Sequence, residues 1–226
     1  MEERTPPDAL LVVAPGCPHC GMVLEGMSRL LKEGRLSSLQ GLQAPYHAGE
    51  VSRLGIRSVP WYRIGPFVFE EAQGYAELLR WAERADHIRG MAVYFEDRLN
   101  RGQRHRVLAM VREDPARLQA FALLMADVEV GLQTRLGMGV VLEELQGSGL
   151  AVGLLSALER LVQHPEARMR GDACHFLSLI DCPRSALRLL EKSLDDPDPM
   201  VREVAGDLLE EMKSQAGWEP EYDSLP

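Results

Sequence analysis

Cys17 and Cys20, with Pro18 and His19 between them, are the residues of this chain best suited to covalent chemistry. Two thiols at this spacing can close and reopen a disulfide, supply half of a tetrahedral metal site, or stand idle. A structural zinc site needs a second ligand pair. The two other cysteines, Cys174 and Cys182, lie far along the chain at helix-end positions of an all-helical half. They are poor candidates for that pair, and neither a metal nor a cofactor is expected beyond a redox-active Cys17–Cys20 disulfide.

The elements around the pair favour thiol exchange. "ALLVVA", residues 9–14, is a continuous apolar run of the kind that forms a strand buried on both faces. After the pair, Met22, Val23, Met27, Leu30 and Leu31 recur at helical spacing. A helix opening at Cys17 would offer that sulfur its unsatisfied N–H groups and the positive end of its dipole, which favour a thiolate. Cys17, as N-cap, is then the attacking thiol, and Cys20, one turn further in, resolves the mixed disulfide. Pro18 suits the first helical position because its missing N–H is no loss there. His19, when it donates or is protonated, stabilises the Cys17 thiolate and makes the pair more oxidising.

Further along, "SSLQGLQAP" can hold a short strand and "GEVSRLGI" a short helix or turn. "PWYRIGPFVFEE" reads as two aromatic-rich strands joined at Gly65-Pro66, and "GYAELLRWAERAD" as an amphipathic helix. Taken together, these elements make the segment resemble the thioredoxin-fold oxidoreductases. The features that carry the resemblance are the strand, Cys-Pro-His-Cys, the helix, and "GIRSVPWYRIG" about 40 residues on. The resemblance implies that Val59 faces the dithiol, that Pro60 is cis, and that this loop docks substrate backbone. Trp61 and Tyr62, just after it, would border the substrate groove, although strand packing is the commoner role for such residues. Cys-Pro-His-Cys and the Val-Pro pair are similar to those of DsbA-type bacterial disulfide oxidants, but no helical insertion fits between Cys20 and Pro60. The shortness of the segment is closer to glutaredoxins, whose glutathione-contacting segment "GYAELL" partly resembles. Two positions depart from thioredoxins: Gly16 stands where a tryptophan usually precedes the first cysteine, and Leu11 where the strand carries a buried acid.

From about residue 89 the strand signals stop and helices follow one another between Pro, Gly and Asp breaks. At an offset of about 32, Leu158 falls on Leu190, Pro165 on Pro197, Arg170 on Arg202, Ala173 on Ala205 and Leu177 on Leu209. A weaker copy about 35 residues earlier aligns Arg135, Met138, Leu142 and Leu145 with Arg170, Ala173, Leu177 and Ile180. Each unit is helix, turn, helix, and neither helix can bury its apolar stripe alone. "DPDPMVREVAGDLLEEM" resembles the second helix of HEAT-type repeats. The repeated arginines are expected to pair across neighbouring repeats. Cys174 occupies the position of Gly139 and Gly206, which points to a packing thiol.

The chain therefore divides into an α/β thioredoxin-like domain, 1–88, an all-α HEAT-like solenoid, 89–217, and a flexible tail, 218–226. Its 226 residues are 46% hydrophobic and 26% charged, a normal globular composition. The net charge of −9 argues against nucleic-acid binding, and no apolar run suffices for a membrane span. The acidic start lacks a signal-peptide layout and points to a cytoplasmic protein, or to a periplasmic one if a leader has been removed. The expected function is thiol–disulfide exchange on protein substrates, with Cys17, Pro18, His19 and Cys20 reactive, Val59, Pro60 and Trp61 contacting substrate, and the repeats binding a partner, in a chaperone-like role. Two alternatives stay open: a non-enzymatic adaptor using both parts for protein binding, and a glutathione-dependent reductase.

Overall fold

The computed structural model describes residues 5–181 and 183–215. Cys182 and the tail, 218–226, lie outside them. The described residues form two compact units, the first ending at Tyr94 and the second beginning at Phe95. Among them, no helix is long and apolar enough to cross a membrane.

The first unit is mixed α/β. Strand β1 (Asp8–Val13) leads through helix α1 (Cys20–Lys32) to β2 (Ser38–Gln43), which pairs parallel to β1. Helix α2 (Ala48–Arg53) precedes the hairpin of β3 (Trp61–Ile64) and β4 (Phe67–Phe69), and the order across the sheet is β2-β1-β3-β4. β3 runs antiparallel to β1, with Val12 opposite Trp61 and Leu11 opposite Tyr62. Leu10, Leu11 and Val12 are all buried, as a strand covered on both faces requires. On one face Leu10, Val12, Leu42 and Trp61 form a core onto which Val51, Leu54, Ile56 and Val59 pack. On the other, Tyr62, Ile64, Phe67 and Phe69 are fully buried.

Helix α3 (Tyr75–Arg84) packs along α1, and α4 (Ile88–Asn100) follows it. The ring of Trp81 on α3 lies 5.4 Å from Phe67 and 5.3 Å from Phe69. Tyr94 on α4 stacks on Phe67 at 4.8 Å. Its hydroxyl donates to the Val68 carbonyl at 2.8 Å and accepts the Val68 N–H at 3.2 Å, along the outer strand of the sheet. Each aromatic pair adds about 0.5–1.5 kcal/mol to simple burial. Tyr94 therefore belongs to the first unit, and the division falls inside α4 rather than at residue 88 as the sequence suggested.

The second unit is helical: α5 (Arg104–Glu113), α6 (Gln119–Ala126), α7 (Leu132–Glu143), α8 (Leu155–Leu161), α9 (Ala167–Ser178), α10 (Pro183–Ser193) and α11 (Pro199–Gln215). α9 packs against α8, α10 and α11. The aligned arginines share one construction. Arg135 donates to the carbonyls of Val130 (3.1 Å) and Asp127 (2.7 Å), Arg170 to Pro165 (2.9 Å) and His164 (2.8 Å), and Arg202 to Pro197 (3.1 Å) and Asp196 (2.6 Å). In each case a second helix staples its own preceding turn. Arg135 then reaches Asp172 at 3.0 Å and Arg170 grips Asp196 with two bonds, of 2.6 and 2.8 Å, so carboxylates of the following helix pair complete the coordination. Burial lowers the pKa of the Arg135 guanidinium, and Asp172 opposes that shift.

Two predictions follow from packing and charge. A Cβ added at Gly90 would stand 1.9 Å from the Arg84 backbone carbonyl oxygen. Gly90→Ala is expected to cost about 1–3 kcal/mol in urea unfolding, whereas Gly21→Ala, with nothing within 4 Å, should be neutral or mildly stabilising. The Arg170 hydrogen bonds hold the Asp196 carboxyl below its usual pKa. A depressed carboxyl contributes stability above its unfolded pKa of about 3.9, and that contribution is lost as pH falls through the lower folded value. Asp196→Asn should therefore flatten the acid limb of a stability–pH curve below about pH 4, and an unchanged limb would refute the assignment.

Candidate functional site

Cys17 sits in the loop that leaves β1. The Cys17 N–H returns to the Ala14 carbonyl at 3.3 Å, and Gly16 between them has φ +78°, the left-handed region. A tryptophan there would be strained, so the turn itself accounts for glycine before the first cysteine. Pro18 and His19 follow in turn conformation and are exposed. Helix α1 begins at Cys20 with His19 as N-cap, so Cys17 lies one turn short of the helix it was expected to cap, and Pro18 precedes the first helical residue. The bond to Ala14 commits the Cys17 backbone to the preceding turn. Any help from the helix dipole reaches Cys17 from further away, since that effect is confined to the first turn.

The two sulfurs are within disulfide-bonding distance, with Cα atoms 5.5 Å apart. Cys17 is half-buried and Cys20 is 6% exposed, tucked under the start of α1. The Val59–Pro60 peptide bond is cis, and the Val59 carbonyl oxygen lies 3.8 Å from Cys17 Sγ. When the pair is reduced, that carbonyl can accept a hydrogen bond from the Cys17 thiol. Pro60 is buried and Val59 half-buried, so Val59 is the part of this loop that borders the sulfur.

Trp61 does not contact substrate as the sequence suggests. Its side chain is 5% exposed and packs with Leu10, Val12 and Leu42, which makes it a core residue of β3 and not a wall of any groove. Tyr62 is fully buried on the opposite face. Both follow from strand alternation once β3 is paired to a strand that is itself buried on both sides. Arg57 and Ser58, exposed in the loop before Val59, were not singled out in the sequence, where their position ahead of the Val-Pro pair is the only signal. Leu11, where thioredoxins carry an acid, is fully buried among apolar neighbours. At the start of α3, the Glu77 carboxylate accepts the Gly74 N–H at 3.4 Å.

Cys174 is fully buried on α9 and free, and burial raises its thiol pKa. Among the described residues, no three His, Cys, Asp or Glu side chains are clustered as a metal site. No protein-family model matches this chain, and no curated protein matches it in sequence.

The difference in exposure sets an order of reactivity. After reduction, limiting iodoacetamide should label Cys17 about tenfold faster than Cys20, and Cys174 should label only on unfolding. Peptide mass mapping reads this directly, and equal labelling of Cys17 and Cys20 would contradict the geometry.

Proposed function

We propose that this chain is a thiol–disulfide oxidoreductase: a thioredoxin-like domain acting on protein substrates, followed by HEAT-like repeats that hold the substrate or partner. The observation that carries the proposal is the pair Cys17–Cys20 at bonding distance with the Val59 carbonyl of the cis-proline loop beside the more exposed sulfur. In the reductive direction the Cys17 thiolate attacks a substrate disulfide, forming a mixed disulfide and releasing one substrate thiolate. Cys20 then attacks the Cys17 sulfur, releasing the second substrate thiolate and closing Cys17–Cys20. Two electrons pass to the substrate, and the reverse sequence oxidises it. An attached helical unit supports restriction to particular partners, because repeat arrays offer extended binding surfaces.

The adaptor reading has one observation in its favour: Leu11 leaves no buried acid on β1 to take the Cys20 proton. His19 or water must then do so, and a protein that never turns over would need neither.

With dithiothreitol as terminal reductant, the wild-type chain should accelerate insulin precipitation, and Cys17→Ser should return the rate to the uncatalysed level. A wild-type protein that neither reduces insulin nor exchanges with a small disulfide would overturn the enzymatic reading. In that case a Cys17 alkylation rate rising with an apparent pKa near 8.5, the value of an ordinary thiol, would favour the adaptor.

A further inference from the structure

The segment that carries the Val59 loop has a charge opposite in sign to that of the whole chain. The protein's net charge is −9, yet residues 51–69 hold Arg53, Arg57 and Arg63 and no acid, and residues 14–24 hold no acid either. Of these arginines, Arg53 pairs with Glu50 and Arg63 with Asp8. Arg57 is exposed and, among the described residues, has no hydrogen-bond or ion-pair partner. It stands two residues before Val59, whose carbonyl lies 3.8 Å from Cys17 Sγ. Glu70 and Glu71 leave β4 at the same end of the sheet, but neither is without a partner, and β4 is separated from β1 by β3. At roughly 4.8 Å per strand, that is about 10 Å from the strand that delivers Cys17.

We infer that Arg57 selects substrates with an acidic residue within two positions of the attacked cysteine. The inference rests on the reading of Cys17–Cys20 as an exchanging dithiol. A substrate segment lying extended along the Val59 loop, so that its sulfur meets Cys17, brings its neighbouring side chains alongside residues 57 and 58. A partnerless guanidinium at that point attracts a carboxylate and repels a lysine. His19, exposed between the cysteines, adds a second donor when protonated and no repulsion when neutral.

The test uses the full chain, pre-reduced and freed of reductant, in single turnover at low ionic strength. The probes are two peptides identical except for Asp or Lys flanking one cysteine, each held in a mixed disulfide with neutral 2-thiopyridine. Cys17 attacks the peptide sulfur and releases 2-thiopyridone, and Cys20 then releases the peptide thiol, so the dithiol is the reductant. One charge pair about 7 Å apart in water corresponds to about a threefold rate effect, so the Asp/Lys rate ratio should approach tenfold. That ratio should collapse toward one as salt is raised. Arg57→Gln should bring it near one and Arg57→Glu should invert it. Arg35→Glu, at the other end of the sheet beside Glu83, changes net charge equally and should keep the wild-type ordering. Because thiols of unfolded chains would also react with the probes and pull the ratio toward one, each variant is first shown to be fully folded by circular dichroism. A wild-type ratio of one, or one that survives Arg57→Glu, overturns the inference while leaving exchange intact. Failure to react with either peptide, matching Cys17→Ser, overturns the underlying reading and this inference with it.

Discussion

The first unit is organised by the need to bury β1 from both sides. A strand with Leu10, Leu11 and Val12 in succession has no solvent face, so the chain must supply two covering layers within a short length. It does so with α1 and α3 on one face, and with α2 and the segment from Leu54 to Val59 on the other. The position of the sulfurs follows from that requirement. The chain leaves β1 at Val13, turns once through Gly16, and reaches Cys17 where the covering segment of the opposite layer re-enters the sheet through Pro60. The closeness of Val59 to Cys17 is thus a product of core formation, since Val59 itself packs on the core that Leu10 and Val12 begin.

The helical unit solves a different problem, fixing the turns that precede α7, α9 and α11. Apolar packing alone is tolerant of small rotations, because hydrophobic burial is non-directional. A guanidinium that donates to carbonyls of the preceding turn is directional, and it is made more so by a carboxylate from the next pair. Replacing such groups by apolar ones often costs little stability, whereas removing one partner leaves a buried charge and costs about 3–5 kcal/mol. Arg135 and Arg170 are therefore best understood as setting geometry, while Met138, Leu142, Ala173, Leu177, Ala205 and Leu209 supply the apolar burial.

Much of this organisation was legible in the sequence wherever a pattern had one physical explanation. The run at 9–14 could be buried only as a strand, Val23, Met27 and Leu30 share one helical face, and Gly65 marks the turn between two aromatic strands. β2 was faint because it is an edge strand with a single buried residue, Leu42, and so shows no alternation. The sequence points to Cys17 as the start of α1 because Pro18 suits a first helical position, and it does not reveal that the Cys17 N–H is committed to the preceding turn. Trp61 was misread for a related reason: an aromatic after a loop looks accessible until strand pairing decides which way it faces. The end of the first unit could not be read from helix periodicity at all, since α4 is one unbroken helix whose Tyr94 answers to the sheet.

Tyr94 has one more consequence. An outer β-strand carries a row of free N–H and C=O groups that invite a further strand from another molecule. On β4 the middle residue of three, Val68, has both of its groups engaged by one phenol oxygen, which accepts and donates at once. A single side chain thus stands in for a neighbouring strand, at the cost of one helical position. With that border closed, the other border of the sheet is β2, two strands away from β3 and the aromatic cluster it shares with β4.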